Sequence, residues 1–328
     1  MKIAVLTSGG DAPGMNAAVR AVVRTAFARR WEVVGIEAGY KGLLEARFRT
    51  LGNRGVGGIL QRGGTVLGTA RSTQFATPEG QELAASGLKK AGVEGLVVIG
   101  GEGSLSGAWR LQELGVKVVG IPATIDNDVF GTDTAIGVDT ALNAALEAID
   151  RIKDTASSHQ RAHVVEVMGR RCGYLALMSG ITGGAEVVLV PEFEAKPQEI
   201  MHAFSRAWKQ GKPHFIVVAA EGAPLSAEDI HKYINDTEGA FESRLTVLGH
   251  VQRGGSPTAF DRILASRMGT AALKALWEGK SGVMIGFRGR RTEYVAVNEQ
   301  VGQVRPLDAD LYEMTETLAG FPEEISYR

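Results

Sequence analysis

The chain contains few cysteine, proline and aromatic residues, and each of these shortages argues against a class of protein. Its 328 residues include one cysteine, Cys172, which can form neither an internal disulfide nor a thiolate metal site. Only 10 prolines accompany 43 glycines, and no Gly-X-Y period is present, so a collagen-like or Pro/Gly-rich disordered chain is excluded. Aromatic residues make up 6%, which argues against a platform for stacking nucleic-acid bases.

The chain also lacks a strong charge of either sign and any long apolar run. Its 36 Lys and Arg residues and 37 Asp and Glu residues leave a formal charge of −1, so the basic surface of a nucleic-acid-binding protein is missing. No apolar run approaches the ~18 residues that span a bilayer, and no signal peptide is recognisable. We therefore expect a cytoplasmic protein with neither a nucleic-acid nor a membrane partner.

Short apolar runs alternate with helical patterns along the chain. The runs are rich in β-branched residues and apolar on both faces, which is typical of strands buried in parallel sheets. They lie at 3–6, 33–36, 96–99, 118–121, 164–167, 187–190, 215–218 and 246–248. Helical spacing is clearest at 15–26, at 142–152 with Asp139 as N-cap, and after Pro257 up to a stop near Gly279. This alternation predicts an α/β fold with sites at the carboxyl ends of strands.

The glycines gather after predicted strands, where the backbone turns tightly or approaches a ligand. The first cluster lies in 7–16 (TSGGDAPGMN), where N–H groups could face an anion at a helix N-terminus. A tight strand-to-helix turn is the alternative, and the segment matches neither a Walker loop nor the dinucleotide fingerprint. The second cluster, 100–104 (GGEGS), adds a carboxylate, which suits a phosphate loop if Mg²⁺ bridges the two.

A pair of acids follows another predicted strand, in 122–128 (PATIDND). Asp126 and Asp128 are two residues apart, so an extended loop would aim both carboxylates the same way. One could then act as a general base while the other supports metal or geometry, although an ordinary polar turn has the same composition. Because three strand-end loops carry glycine or acid, we predict a phosphate-and-metal site.

Several arginines stand in loops, often beside glycine, where they could hold a phosphate bidentately instead of being solvated charges. They are Arg71, Arg161, Arg170, Arg171, Arg244 and Arg253. His250 beside Arg253 could bind phosphate or sugar, but a lone histidine is not assigned as a catalyst. His159 and His163 have metal-ligand spacing, but no third type of ligand clusters nearby.

At these residues the sequence resembles the bacterial 6-phosphofructokinase family over nearly the whole chain. The segments that carry the resemblance are 6–18 (LTSGGDAPGMNAA), 124–128 (TIDND), 154–161 (DTASSHQR), 165–170 (VEVMGR), 247–257 (VLGHVQRGGSP) and 261–268 (DRILASRM). The resemblance implies two Rossmann-like, three-layer α/β/α domains with mainly parallel sheets, between which the chain crosses more than once. A larger nucleotide-binding domain would comprise 1–138 and 252–305, and a smaller sugar-phosphate-binding domain 139–251 and 306–328.

The implied reaction is phosphoryl transfer from Mg-ATP to the 1-hydroxyl of fructose 6-phosphate, which gives fructose 1,6-bisphosphate and ADP in glycolysis. Asp126 matches the base, with Thr124 and Asp128 assisting, while Arg71 and Arg170 would stabilise charge on the transferring group. The residues that match the sugar-phosphate site are Arg161, Met168, Gly169, Arg170, Glu221, Arg244, His250 and Arg253. Those that match the ATP site are Gly10, Tyr40, Arg71, Ser72, Gly101, Glu102, Gly103 and Ser104, with Glu102 on the Mg²⁺ side.

The resemblance also implies a homotetramer, in which Arg161 and Arg244 serve a neighbouring subunit's substrate site. An effector pocket between subunits would respond to ADP as activator and to phosphoenolpyruvate as inhibitor. The residues that match this pocket are Arg20, Arg24, Lys153, Glu186 and Lys212.

Several positions depart from the family pattern. Glu102 replaces the usual Asp of GGDGS, and a displacement of about 1 Å could cost on the order of 10²-fold in rate. Other departures are Ser72 for an aromatic residue, Ala76 for a basic one, Ala123 for glycine, and Asn53 and Gln210 for arginine or lysine. They leave open a weakly active or inactive regulatory paralogue, and the pocket residues leave open a kinase of another sugar phosphate such as tagatose 6-phosphate.

The residues at two positions indicate whether ATP or pyrophosphate is the phosphoryl donor. Relatives that use pyrophosphate have Asp at the position of Gly103 and Lys at the position of Ala123, where they would crowd or replace the α-phosphate of the nucleotide. This chain has neither, so we expect ATP.

Overall fold

The computed structural model describes residues 1–237 and 242–320, which divide into two compact units. The first unit comprises Met1–Thr140 and Arg253–Arg305, and the second comprises Ala141–Gln252 and the residues from Pro306 on. The chain therefore passes from one unit to the other three times. Residues 238–241 and 321–328 of the predicted smaller domain lie outside the described residues.

Helices and strands alternate along most of the chain. They are β1 (Lys2–Ser8), α1 (Met15–Ala28), β2 (Glu32–Ile36), α2 (Gly39–Leu44), β3 (Phe48–Thr50), α3 (Pro78–Lys90), β4 (Gly95–Gly100), α4 (Glu102–Glu113), β5 (Val118–Pro122), α5 (Val138–His159), β6 (Ala162–Val167), α6 (Tyr174–Gly183), β7 (Val187–Leu189), α7 (Pro197–Lys209), β8 (Phe215–Ala220), α8 (Ala227–Asp236), β9 (Ser243–Val247), α9 (Ala259–Trp277), β10 (Val283–Arg288), β11 (Arg291–Ala296), α10 (Val297–Gln300) and α11 (Ala309–Leu318). Short 3₁₀ helices cover Gln74–Ala76 and Gly249–Arg253.

The sheet of the first unit has seven strands among the described residues, in the order β11-β10-β5-β4-β1-β2-β3. Its five inner strands are parallel, while β3 and β11 pair antiparallel at the two edges. Side chains of one face, such as Leu6 and Val98, pack on Leu43, Leu88 and Leu111 of α2, α3 and α4. Helices α1 and α9 pack against each other and against the sheet, so both faces are covered.

The sheet of the second unit has four strands in the described residues, in the order β7-β8-β6-β9, and all are parallel. Val164 and Val217 of this sheet share a buried cluster with Phe204 of α7 and Ile230 of α8. The prediction of α/β units with mainly parallel sheets is thus confirmed. In the described part of the chain, no helix has the length and apolar character needed to cross a bilayer.

Three strands, β3, β10 and β11, were not predicted from the sequence. Strand β3 is short, half-exposed β11 alternates polar with apolar residues, and the inner strand β10 (VMIGFR) has no two β-branched residues in succession, so none shows a continuous β-branched run. Strand β9 begins at Ser243, before the predicted run at 246–248, and β7 ends at Leu189. Edge strands are half-solvated, and their positions follow from pairing with a neighbour more than from their own composition.

The N-terminus of α5 is held by Asp261, so the prediction that Asp139 is the N-cap is wrong. The Asp261 carboxylate accepts the backbone N–H groups of Gly137 and Thr140, both at 2.9 Å, and the Thr140 hydroxyl at 2.6 Å. Asp139 lies in the first turn and accepts the hydroxyl of Thr258, the N-cap residue of α9, at 2.5 Å. Helices α5 and α9 therefore begin side by side. Asp261 of α9 binds the N-terminus of α5, and Asp139 of α5 binds the N-cap residue of α9.

We predict that Asp261→Asn changes how stability depends on pH. Burial raises the pKa of Asp261 from 3.8 to about 6, although its hydrogen bonds to Thr140 and Gly137 oppose the shift. A raised pKa in the folded state means that the stabilisation is complete below the unfolded pKa and is lost as pH rises through about 6. The free energy of unfolding of the wild type, relative to that of the non-titrating Asp261→Asn variant, should therefore fall by about 2 kcal/mol between about pH 4.5 and pH 7.

Urea unfolding of both proteins at equal concentration across this pH range measures the difference. An advantage of the wild type that does not change with pH would contradict the prediction.

Candidate functional site

The carboxyl ends of β1, β4 and β5 meet at Gly100. A Cβ at Gly100 would lie 2.5 Å from the carbonyl oxygen of Ser8 and 2.6 Å from Oγ of Ser104, so only glycine fits there. The backbone N–H of Ala123 donates to the carbonyl oxygen of Gly100 at 3.0 Å. Ser104 Oγ also lies 3.1 Å from the position that a Cβ on Gly9 would occupy. The three strand-end loops predicted to form one site are thus neighbours.

The second glycine cluster opens directly into α4, with Gly101 at the N-cap and Glu102 as the first helical residue. The positive end of the helix dipole and the N–H groups of the first turn favour an anion at this place. Gly101 lies against Thr124, since a Cβ on Gly101 would be 3.5 Å from Cβ of Thr124. Helix α4 therefore presents its N-terminus beside the loop that carries the predicted base.

The loop 124–128 is not extended, as its spacing had predicted, because Asn127 adopts a left-handed conformation with φ of 54°. The Asn127 side chain makes this turn: its amide donates to the carbonyl of Asp133 at 3.2 Å, and its Oδ1 accepts the N–H of Ala135 at 3.1 Å. Asp126 is only 2% exposed, and its N–H donates to Thr124 Oγ1 at 3.1 Å. The tertiary fold, not the alternation of a strand, places the two carboxylates.

Tyr40 stacks on an aromatic residue that sequence reasoning missed. Its ring lies 3.9 Å from that of Phe75, centroid to centroid, at an angle of 7°. Its hydroxyl donates to the carbonyl oxygen of Ser104 at 2.6 Å, and burial raises the pKa of Tyr40 far above its usual range, so the donor keeps its proton. Ser72 Oγ accepts the N–H of Phe75 at 3.1 Å. Ser72 therefore holds the backbone of Phe75, whose buried ring packs on Tyr40.

Arg253 lies over the first glycine cluster. Its Nη1 donates to the carbonyl oxygen of Asp11 at 3.3 Å, and a Cβ at Gly10 would clash with its guanidinium group. Arg71 is exposed on the same unit. The first unit therefore brings together Gly10, Tyr40, Gly101 to Ser104, Thr124 and Arg253, all of which sequence reasoning had singled out.

In the second unit, the segment Met168 to Arg170 follows β6 and is held by two side chains. The N–H of Arg170 donates to Glu221 Oε1 at 2.8 Å, which joins two residues predicted to bind the sugar phosphate. Gly169 and Arg170 have φ of 146° and 52°, so the backbone bends sharply. The N–H of Met168 donates to Oε1 of fully buried Gln252 at 2.9 Å. Gln252 was missed, although it lies between two predicted residues.

Arg161 and Arg244 share one acid that was also missed. Oε2 of Glu242 is 2.8 Å from Nη2 of Arg161, and its other oxygen pairs with Arg244. The register of β6 and β9, which places His163 opposite Arg244, brings the arginines together. Burial, followed by the charges of Arg161 and Arg244, lowers the pKa of His163, so it remains neutral in this cationic cluster. His250 is exposed on the same unit.

The residues predicted for an effector pocket fall into two sets. Glu186, Lys153 and Lys212 belong to the second unit, where Lys212 Nζ is 3.2 Å from Glu186 Oε1 and Lys153 Nζ donates to the carbonyl of Gly183 at 2.8 Å. Arg20 and Arg24 lie on α1 of the first unit. The three residues of the second unit thus form a compact charged cluster.

Glu102 offers the oxygen ligand that Mg²⁺ prefers. Its half-exposed side chain stands at the N-terminus of α4, where Ser106 Oγ donates to Oε1 at 2.8 Å. No group of three or more His, Cys, Asp and Glu side chains that could hold a metal occurs among residues 1–237 and 242–320. Mg²⁺ bound with nucleotide phosphates needs only one or two carboxylates, so the residues present fit this ion.

Comparisons with known proteins agree on one family. A family model described as Phosphofructokinase matches residues 2–276. The chain is 51% identical to the ATP-dependent 6-phosphofructokinase of Thermotoga neapolitana over 97% of this chain and 99% of that one. It is likewise 51% identical to ATP-dependent 6-phosphofructokinase 1 of Thermus thermophilus, with the same coverage. The structure of phosphofructokinase from Saccharomyces cerevisiae superposes with a TM-score of 0.86 at 39% identity, over 92% of this chain and 45% of that longer one.

We predict that Tyr40→Phe lowers the free energy of unfolding by about 1 kcal/mol. The variant keeps the stacked ring but loses the buried hydrogen bond to the carbonyl of Ser104. Tyr294→Phe is the matched control, because Tyr294 is half-exposed on β11 with Lys280 over its ring, and a change within about 0.5 kcal/mol is expected. Denaturant titration measures both variants. Equal stability of Tyr40→Phe and the wild type would show that the hydrogen bond of the Tyr40 hydroxyl does not stabilise the fold.

Proposed function

This chain belongs to the phosphofructokinase family, and we propose that it phosphorylates the 1-hydroxyl of fructose 6-phosphate with Asp126 as general base. The donor is ATP, the products are fructose 1,6-bisphosphate and ADP, and the reaction is a step of glycolysis. One observation carries this conclusion: ATP-dependent 6-phosphofructokinases match the chain at about 50% identity over 97% of its length.

The first unit supports binding of the nucleotide phosphates. Helix α4 begins at Glu102, and its N-terminus suits an anion, while Gly100 and Gly101 allow backbone to approach closely. We assign the nucleotide to Gly10, Tyr40, Arg71, Ser72 and Gly101 to Ser104. In this proposal Glu102 holds Mg²⁺, which neutralises charge on the phosphate oxygens when bound.

Asp126 is suited to take the proton from the sugar hydroxyl. Its carboxyl group is buried in a loop that Thr124 and Asn127 hold by hydrogen bonds, so the base is oriented before substrate binds. Thr124 and Asp128 assist in this assignment. Arg71 and Arg170 stabilise the negative charge of the transferring phosphoryl group, in a reaction whose catalysis comes mostly from positioning and electrostatics.

The second unit supports binding of the sugar phosphate. Arg161, just before β6, and Arg244, on the neighbouring strand β9, lie beside neutral His163. Two guanidinium groups with Glu242 between them leave a positive cluster that suits a phosphate dianion. Glu221 holds the backbone of Arg170 in the turn at Gly169. We assign these residues, with Met168, His250 and Arg253, to fructose 6-phosphate.

The proposal includes assembly and regulation. A homotetramer, in which Arg161 and Arg244 serve a neighbouring subunit, and an effector pocket containing Arg20, Arg24, Lys153, Glu186 and Lys212 follow from the family. We propose phosphoenolpyruvate as the inhibitor and ADP as the activator. A cytoplasmic location agrees with the single buried cysteine, Cys172, which requires no oxidising compartment.

We predict that Asp126→Asn lowers kcat by about 10²- to 10⁴-fold and leaves both KM values nearly unchanged, because only the proton acceptor is lost. The matched control is Asp133→Asn, which alters an exposed acid in the same connection between β5 and α5. Its Oδ2 accepts the N–H of Gly289 at 2.6 Å. Coupled assays with ATP and fructose 6-phosphate measure both. A kcat near that of the wild type in Asp126→Asn would exclude this residue as the base.

We predict weak inhibition by phosphoenolpyruvate, because Asn53 and Gln210 are neutral where cations are usual in the family. Inhibition curves for the wild type, Arg20→Ala and the control Arg30→Ala, an exposed arginine just after α1, test this. Strong inhibition at low concentration that disappears in Arg20→Ala alone would contradict the prediction.

A further inference from the structure

Glu102 is held by a partner one helical turn away. Residues 102 and 106 face the same side of α4, because side chains four residues apart are neighbours on a helix. Ser106 Oγ donates to Glu102 Oε1 at 2.8 Å. A helical serine commonly donates to the backbone carbonyl four residues earlier, but here the acceptor is the carboxylate of that residue.

The contact depends on the length of the glutamate side chain. Side chains at this spacing start about 5–6 Å apart, so a carboxylate must extend along the helix to reach a serine hydroxyl. An aspartate at 102 is one methylene shorter, so its carboxylate would reach less far toward Ser106 and make a weaker contact. The length of the Glu102 side chain therefore suits its hydrogen bond with Ser106.

The hydrogen bond leaves the carboxylate able to bind a metal. A carboxylate accepts about four hydrogen bonds or ligand bonds, and Ser106 uses one of them on Oε1. Glu102 has three side-chain torsions, and fixing them on metal binding costs conformational entropy. A hydrogen-bond partner that already fixes the Glu102 side chain reduces this loss of entropy, as partners of metal ligands generally do.

We propose that Ser106 is a positioning residue that holds Glu102 in the conformation in which its carboxylate binds the Mg²⁺ of the nucleotide. Ser106 acts only through Glu102 and compensates for the longer acid at this position. This inference rests on the proposed function, since it assumes that Mg²⁺ and nucleotide bind at the N-terminus of α4.

Four full-length proteins test the pairing: the wild type, Ser106→Ala, Glu102→Asp and the double variant. The readout is the affinity for ADP by calorimetry, with Mg²⁺ and with EDTA, beside kcat and the KM for fructose 6-phosphate. We expect Ser106→Ala to weaken ADP binding about tenfold with Mg²⁺ and not in EDTA, and to lower kcat by a similar factor. The KM for fructose 6-phosphate should stay within about twofold.

In the Glu102→Asp background, Ser106→Ala should change each of these values less than about twofold, because the shorter acid makes the weaker hydrogen bond to Ser106. Ser106→Thr keeps the hydroxyl and should stay within about threefold of the wild type. Ser86→Ala, at an exposed position of α3, is the matched control and should change nothing.

Equal effects of Ser106→Ala in both backgrounds, or an equal loss of ADP affinity in EDTA, would overturn the proposal and leave Ser106 a purely structural residue. Failure of the proposed function gives a different result, because the wild type would then not phosphorylate fructose 6-phosphate with ATP. The calorimetric comparison with and without Mg²⁺ still decides the role of Ser106 in that event.

Discussion

The first unit depends on one close approach of backbone, at the carboxyl end of β4. Gly100 has no side chain, and any Cβ there would collide with the carbonyl of Ser8 and the hydroxyl of Ser104. Because β1 and β5 lie on either side of β4 in a parallel sheet, their following loops leave from the same edge. The N-terminus of α4, the glycine loop after β1 and the loop of Asp126 can therefore share one place.

Charged and polar groups of both units are held in place by specific side-chain partners. Tyr40 reaches the first turn of α4 through its hydroxyl and is stacked on Phe75, while Asn127 shapes the loop of the predicted base. In the second unit, Glu242 joins Arg161 and Arg244, and Glu221 holds Arg170. Fixed geometry of this kind suits phosphoryl transfer, in which positioning and electrostatics supply most of the rate.

Patterns within short segments predicted the inner strands well. Runs such as 96–99 and 215–218 are apolar on both faces, and this is a local property that survives folding. Local reasoning failed where the fold supplied a competitor. Asp139 has the composition of an N-cap, but Asp261, more than a hundred residues away, occupies that role. The spacing of Asp126 and Asp128 indicated an extended loop, but Asn127 turns it through contacts with Asp133 and Ala135.

The sequence by itself determined the α/β class, the strand-end loops that carry glycine or acid, and the family with its chemistry. These depend on periodicity and on short motifs, which are read from neighbouring residues. Only the tertiary structure decided the distant partners: Phe75 for Tyr40, Gln252 for Met168 and Asp261 for α5. The order of strands and the rotamers of side chains bring these atoms within hydrogen-bond or stacking distance, and no single segment contains that information.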